Sequence, residues 1–97
     1  MATDRQRIDK WLWHARIVRT RTAAAELTEA GFVRLNGSRV NAASRAVRAG
    51  DVLTIALDGG VRVLKVLGFR DRRGSADASH GLYEDIGRGG RSGARNA

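Results

Sequence analysis

The chain has 97 residues, no cysteine and a formal net charge of +8. This length allows one domain with a modest core, and the lack of cysteine excludes disulfides and thiolate metal sites. The two histidines are far apart in the sequence and have no matching ligand cluster, so we expect neither a metal ion nor a cofactor. A pI near 11.5 predicts a polyanionic partner, and nucleic acid is a better candidate than a membrane surface.

Several other classes of protein are disfavoured by the sequence. No stretch approaches the roughly 20 apolar residues of a membrane helix, and the N-terminal residues do not resemble a signal peptide, so we expect a cytoplasmic protein without membrane contact. We find no Ser/His/Asp or Cys/His set, no P-loop and no dinucleotide fingerprint, and therefore expect no catalysis. The acids Asp9 and Asp51 are interpreted as local structural groups.

Positive charge is concentrated in residues 5–48. This stretch holds ten cations against three acids, a net charge of +7, and all of its cations except Lys10 are arginines. The guanidinium group of arginine is planar and suits phosphate oxygens and stacking on bases better than an ammonium does. The charge distribution therefore predicts a surface that binds nucleic acid.

Residues 7–18 are predicted to form the first core helix. Apolar side chains occur at the i, i+3, i+4 and i+7 positions of one helical stripe. These residues are Ile8, Trp11, Leu12 and Ala15.

Trp13 and Ile17 lie on the opposite face of this helix, and two interpretations stay open for them. In the first, C-terminal residues cover the pair. The covering residues are then Leu82, Tyr83 and Ile86. In the second, Trp13 stacks on a base or contacts a partner protein.

A second helix is predicted over residues 23–30, after a short turn. Thr20 or Thr22 can cap its N-terminus, and Gly31 can end it in a left-handed conformation. Helix, short turn and helix follow one another directly.

Arg19 and Arg21 flank the N-terminus of this second helix, where the helix dipole disfavours cations by about 0.3–1 kcal/mol. A phosphate would satisfy both guanidinium groups and the exposed backbone N–H groups together. Alternatively, Arg19 interacts with the C-terminal end of the first helix and Arg21 points into water. Together with Arg16, the two arginines favour the phosphate site.

Two runs rich in β-forming residues, 32–35 and 38–41, flank Asn36-Gly37, which is the strongest short signal for a two-residue type I′ hairpin. Arg34 and Arg39 would then lie directly opposite each other on the outer face. Like charges in this position destabilise a hairpin, so a bound anion explains the pair better than folding does. The alternative is that both side chains splay into solvent. The full register pairs Leu35 with Ser38, Arg34 with Arg39 and Val33 with Val40.

The remaining chain predicts further strands. Residues 42–49 are interpreted as a connection, and residues 52–57 and 61–67 as strands, because both runs are short, apolar and rich in β-branched residues. We therefore expect an α+β fold in which a two-helix helix-turn-helix packs on a small, mostly antiparallel sheet.

The sequence divides into three parts. The domain is expected over residues 5–69, and a C-terminal extension over residues 70–86 contains a short helical or docking segment at 82–86. Residues 87–97 are rich in glycine and arginine and are expected to be a disordered tail. This tail either adds weak contacts with phosphates or has no function.

Four motifs resemble the S4 RNA-binding domain, also called the alpha-L motif. They are R-I-D-K-W-L at 7–12, T-R-T-A-A-A-E-L at 20–27, G-F-V-R-L-N-G at 31–37 and A-G-D at 49–51. K-W-L-W at 10–13, A-R-I-V-R-T-R at 15–21 and L-Y-E at 82–84 are similar to the small ribosome-associated heat-shock proteins of this class. Members of that family continue into a longer charged C-terminal helix, whereas this sequence continues into the glycine-rich tail.

The resemblance implies a non-catalytic protein that binds structured ribosomal RNA. Its partner would be the large ribosomal subunit carrying a stalled nascent chain, in ribosome rescue or the heat-shock response, and the protein is expected to be a monomer. Shape and phosphate spacing, rather than base identity, would dominate recognition. The RNA-binding residues carried over by position are Arg7, Lys10, Arg16, Arg19, Thr20, Arg21, Arg34, Asn36 and Arg39. We expect their guanidinium groups to converge on one surface.

Two other functions stay open. The chain is alternatively a protein-interaction adaptor, with Trp13, Ile17 and the L-Y-E segment making the specific contact, or an accessory RNA-binding subunit of an RNA-modifying enzyme. A regulator that binds duplex DNA is disfavoured, because the second helix has no cation or amide to read base edges and carries two acids.

Overall fold

The structure, a computed structural model, describes residues 5–70 and 80–89. Two short helices and seven strands account for most of these residues, and a single 3-10 turn, His80–Leu82, precedes the last strand. The elements are β1 (Arg5–Arg7), α1 (Ile8–His14), α2 (Arg21–Glu29), β2 (Val33–Leu35), β3 (Ser38–Val40), β4 (Ala46–Arg48), β5 (Val52–Leu57), β6 (Gly60–Val66) and β7 (Tyr83–Gly89).

The strands form two antiparallel sheets. Five strands pair in the order β3-β2-β5-β6-β7, and β1 pairs with β4 in a separate two-stranded ribbon. Every described pairing is antiparallel. The predicted α+β class, with two helices and a mostly antiparallel sheet, is confirmed.

The core forms where the stripe of α1 meets the inner face of the large sheet. All four predicted stripe residues of the first helix are buried, and they cluster with Leu53, Ile55 and Leu64 of β5 and β6. The indole Nε1 of Trp11 donates a hydrogen bond to the carbonyl oxygen of Gly68 at 2.9 Å, so its one polar atom is satisfied inside the core. This packing fixes α1 against the sheet.

Helix α1 is shorter than predicted, since it ends at His14 instead of Val18. The next turn is closed by Arg16 N–H donating to the carbonyl of Trp13 and Ile17 N–H donating to that of Leu12. These are the two hydrogen bonds of a Schellman motif, which requires a left-handed residue after the C-cap. Arg16 takes that conformation, with φ of 61°.

The predicted limits of α2 and the hairpin are close to those observed. Thr20 is the N-cap of α2, and its Oγ1 accepts a hydrogen bond from Ala23 N at 2.9 Å. Gly31 ends the helix with φ of 89°, as expected. Asn36 and Gly37 both have positive φ, and the predicted hairpin register is confirmed in all three pairs.

Two segments were interpreted wrongly. Residues 42–49 contain β4, which pairs with β1 far away in the sequence, so they are more than a connection. In the segment 82–86 the helical alternative is wrong, because Leu82 only ends the 3-10 turn and Tyr83–Gly89 adds β7 to the edge of the large sheet. Of the expected disordered tail, residues 87–89 belong to this strand, and residues 90–97 lie outside the described residues.

The proposed cover of Trp13 and Ile17 by C-terminal residues stays a prediction, although Ile17 is partly buried and packs against the core cluster that contains Leu82. Leu82 is buried in the core, and the Tyr83 ring meets the Trp11 ring edge-on at 6.2 Å between centroids. Ile86 is exposed. Tyr83 therefore packs on the core side of α1. No helix within 5–70 and 80–89 is long and apolar enough to cross a bilayer.

Candidate nucleic-acid interface

A buried carboxylate organises the start of both helices. Asp9, in the first turn of α1, is only 3% exposed. It accepts hydrogen bonds from Arg7 Nε at 3.2 Å and from the second guanidinium nitrogen of Arg7 at 3.1 Å. Nε of Arg21, the first residue of α2, lies 3.6 Å from the same carboxylate. Arg7 and Arg21 are thereby brought together from β1 and α2.

A carboxylate at this depth is costly unless it is paired and hydrogen-bonded. Besides Arg7 and Arg21, the backbone N–H of Lys10 donates to Asp9 Oδ1 at 2.7 Å. Each arginine side chain is about half exposed, so one side of each guanidinium group faces Asp9 and the other faces solvent. Asp9 therefore holds two cations in fixed positions before any ligand binds. We call Arg7, Lys10 and Arg21 the helix-start cluster.

The pKa of His14 is affected by the positive charge of this cluster. Burial lowers the pKa of His14 below its ordinary value, and the charges of Lys10, Arg21 and Arg70 lower it further. Its Nδ1 lies 3.1 Å from the carbonyl oxygen of Arg70 and donates to it, because a carbonyl only accepts. The neutral imidazole thus belongs to a region of positive potential.

The turn between the helices carries three further residues of the predicted site. Arg16, Arg19 and Thr20 are all exposed. The Thr20 hydroxyl oxygen already accepts the capping hydrogen bond from Ala23 N, and what it still offers a ligand is its O–H donor. Arg16 has a left-handed backbone conformation, which glycine adopts with less conformational strain than arginine does. The backbone at this position is therefore strained.

The hairpin supplies a second group of cations. Arg34 and Arg39 are paired across β2 and β3, and both are exposed. The side chain of Arg39 extends back over Gly31, where an added Cβ would lie 3.4 Å from its Cδ and 3.5 Å from its Nε. Arg39 therefore rests on the backbone at the C-terminal end of α2, the end at which a cation is favourable. We call Arg34 and Arg39 the hairpin pair.

Asn36 has a structural task at the hairpin tip. Its Nδ2 donates to Asp51 Oδ1 at 3.1 Å, and its Oδ1 accepts from Val52 N at 2.9 Å. Asp51 Oδ2 in turn accepts from Arg48 N at 2.8 Å, which confirms Asp51 as a local structural group. The amide of Asn36 is therefore used to fix the hairpin against β5, and its expected RNA contact stays a prediction.

The predicted site residues form two groups. No described contact joins the helix-start cluster to the hairpin pair, because they lie at opposite ends of α2. At about 1.5 Å per residue, the ten steps from Arg21 to Gly31 span about 15 Å. The structure thus brings the side chains of Arg7 and Arg21 together at Asp9, next to Lys10 in the chain, and pairs Arg34 with Arg39. The gap between the two groups is one that several phosphates along a nucleic-acid strand can bridge.

Arg5 and Arg48 were not among the candidate RNA-binding residues predicted from the sequence. Arg5 and Arg48 are directly opposite each other in the β1–β4 ribbon, and both are exposed. Arg7 shares their face, since it is two residues along the strand from Arg5. The alternation in Arg5-Gln6-Arg7 was the available signal, but the pairing with β4 was not visible locally. These residues extend the helix-start cluster along the ribbon.

The described part of the chain contains no candidate metal site. Residues 5–70 and 80–89 contain no group of three or more His, Asp or Glu side chains placed to hold an ion. The chemistry that the interface offers is guanidinium, ammonium and backbone N–H donors, all of which suit phosphate oxygens.

Comparison with known proteins identifies the family. The S4 domain profile matches residues 6–53. A heat shock protein 15 homolog from Aeromonas salmonicida is 37% identical over 83 residues, which cover 86% of this chain and 62% of that protein. The RQC P-site tRNA stabilizing factor of Streptococcus pneumoniae is 32% identical over 80 residues, which cover 82% of this chain and 89% of that protein.

A solved structure agrees with these sequence relatives. The structure of Vibrio cholerae heat shock protein 15, described as trimeric, superposes with a TM-score of 0.80 at 31% identity and covers 86% of this chain and 83% of that one. The chain belongs to the S4-domain family, among the proteins homologous to heat shock protein 15.

Two replacements of Arg16 measure the backbone strain at this position. Arg16→Gly and Arg16→Ala both remove the guanidinium group, but only glycine relieves the left-handed strain, so the Gly variant should be more stable than the Ala variant by about 1 kcal/mol. Urea unfolding followed by circular dichroism measures the difference. Equal stability of the two variants would contradict the strain at this position.

The lowered pKa of His14 predicts a pH-dependent stability. The unfolded chain takes up a proton near the ordinary pKa of 6.5 and the folded chain only at lower pH, so stability is complete above that value and falls as the pH drops below it. Thermal unfolding between pH 7.5 and pH 5.5 should show this loss, and His14→Phe should reduce it. The control His80→Gln changes the other histidine. If His14→Phe retains the full loss, His14 is not the group responsible.

Proposed function

We propose that this protein binds structured ribosomal RNA through the helix-start cluster, the turn between the helices and the hairpin pair. The observation that carries the proposal is the shared carboxylate of Asp9, which holds Arg7 and Arg21 at fixed positions with one side of each guanidinium group open to solvent. Rigid donors at set distances recognise the spacing of phosphates and therefore the shape of an RNA. Arg16, Arg19 and Thr20 extend this surface across the turn.

The arrangement of charge supports phosphate binding over a purely structural role. Two pairs of arginines, Arg34 with Arg39 and Arg5 with Arg48, face each other directly across strands. Such pairs disfavour folding, and a bound phosphate would turn each repulsion into a two-pronged contact. Within the predicted site, Asp9 contacts two of the cations, Arg7 and Arg21, and is buried behind them.

The partner we propose is the large ribosomal subunit carrying a stalled nascent chain, in ribosome rescue or the heat-shock response. The supporting finding is that the relatives include heat shock protein 15 and a factor named for stabilising P-site tRNA. We therefore also propose a cytoplasmic location. The chain spans about three fifths of the length of the heat shock protein 15 relatives it matches, so the activity of those longer proteins enters only as part of this proposal.

The expectation of a monomer has no support. The structurally similar Vibrio cholerae heat shock protein 15 is described as trimeric. We therefore propose no oligomeric state for this chain, and the RNA-binding surface is built from residues of a single copy.

The salt dependence of RNA binding tests the proposed function. If four to six phosphates are neutralised, log affinity against log salt has a slope of about −3 to −5. Replacing Arg19 and Arg21 with alanine together should flatten this slope by about one to two units. Binding to purified large subunits, followed by sedimentation over a series of salt concentrations, measures the slope.

Lys65→Ala provides the matched control for this experiment. Lys65 is exposed on β6, outside the proposed surface, so its loss lowers the net charge and should leave the slope unchanged. A slope that does not respond to the Arg19 and Arg21 replacements would show that these arginines are not phosphate contacts.

A further inference from the structure

An exposed aromatic side chain lies beside the hairpin pair. Phe32 follows the end of α2 directly and is 53% exposed, although it is one of only two phenylalanines in the chain. Among the described residues, no ring or guanidinium group stacks on it, since the ring contacts involve Trp11, Trp13, His14 and Tyr83. Its ring face is therefore open to a ligand.

Phe32 and Arg34 form two walls of one shallow cavity. They are two residues apart along the same strand direction and point to the same side of the sheet. The carbonyl of Phe32 accepts a hydrogen bond from Ala56 N at 2.9 Å, which ties this position to β5. The cavity has a volume of about 200 Å³ and is lined by Gly31, Phe32, Arg34, Thr54, Ala56 and Val61.

Phe32 lines two cavities that differ in charge. The cavity described above contains Arg34 and no acid, and Arg39 packs over Gly31 at its rim. Phe32 also lines a second cavity of about 330 Å³, whose lining is otherwise apolar and includes Asp58. An anionic group is therefore favoured in the cavity with Arg34 and disfavoured in the cavity with Asp58.

We propose that Phe32 and the hairpin pair form a binding site for one unpaired nucleotide of RNA. The base stacks on the exposed ring of Phe32, and its phosphate lies between the guanidinium groups of Arg34 and Arg39. An aromatic face beside paired cations is the combination that binds single-stranded nucleotides without strong sequence preference. A second copy of the chain is a poorer occupant, because it would bring its own positive charge to two facing arginines.

This site rests on the proposed RNA-binding function and deepens it. Phosphate contacts at the start of the helices read the shape of paired RNA, and the Phe32 site adds a preference for RNA with a bulge or loop next to the paired region. The two parts are separable, because Phe32 contacts neither Asp9 nor the residues of the helix-start cluster among the described contacts.

The test compares two RNAs that differ only in an unpaired segment. A blunt RNA duplex and the same duplex with a short single-stranded bulge are titrated with the full chain, and fluorescence anisotropy gives the affinities. Phe32→Ala should weaken binding to the bulged RNA by about fivefold or more and change binding to the blunt duplex less than about twofold, because base stacking on an aromatic ring contributes about 1–3 kcal/mol. Phe32→Tyr retains an aromatic face and should bind the bulged RNA like the native chain.

Leu67→Ala is the matched control, because Leu67 is also apolar and 48% exposed but does not line the cavity. It should leave both affinities unchanged. An equal loss on both RNAs, or no loss on either, overturns the nucleotide site, as does a changed oligomeric state of the free Phe32→Ala protein in sedimentation velocity.

The failure of this site is distinguishable from the failure of the proposed function. If the Arg19 and Arg21 replacements weaken binding to both RNAs while Phe32→Ala affects neither, the RNA-binding surface stands and the nucleotide site is overturned. If the native chain binds neither RNA, both are overturned.

Discussion

The contact on which the interface depends is the buried carboxylate of Asp9. It joins three consecutive elements, because its partners lie at the end of β1, in the first turn of α1 and at the first residue of α2. Burial at 3% exposure makes the carboxylate dependent on those partners, and the dependence works in both directions. The carboxylate needs Arg7 and Arg21 for its own stability, and the arginines obtain from it fixed positions at the protein surface.

Other cations of the proposed surface also occupy positions that are locally unfavourable for folding. Arg16 ends α1 in a left-handed conformation, and Arg34 faces Arg39 across the hairpin. Each arrangement is unfavourable for an isolated chain, and in the proposed function the contacts of these arginines with phosphate offset that cost. The hydrophobic stripe of α1 and the satisfied indole of Trp11 supply the stability that permits these local costs.

The sequence predicts those parts of the molecule that depend on local rules. Asn36-Gly37 determines the hairpin and its register, and Thr20 and Gly31 delimit α2, because capping and turn residues act over a few positions. The end of α1 was predicted wrongly since nothing local indicates that Arg16 adopts positive φ. The pairing of β1 with β4 and the addition of β7 to the sheet join distant residues, and no local pattern encodes such contacts.

The sequence predicted exposed arginines, and their contacts with RNA stay a prediction. The expected arginines form two groups at opposite ends of α2, and the expectation that they share one RNA-binding surface stays a prediction. Asp9 was recognised as structural, whereas its task of positioning Arg7 and Arg21 depends on a contact between α1 and α2 that appears only in three dimensions. The same holds for Phe32, whose exposure depends on how β2 meets β5.

Replacing Asp9 with asparagine tests the central claim most directly, because overall charge and local positioning predict opposite results. Asp9→Asn raises the net charge above +8, so an interface driven by total charge would bind structured RNA more tightly. If Asp9 positions Arg7 and Arg21, affinity falls by about tenfold, since ordering each long side chain on binding costs about 0.5–1.5 kcal/mol. The control Asp58→Asn makes the same change in charge at an exposed acid and should not weaken binding. With both variants shown to be folded by circular dichroism, equal or tighter binding by Asp9→Asn would contradict the account.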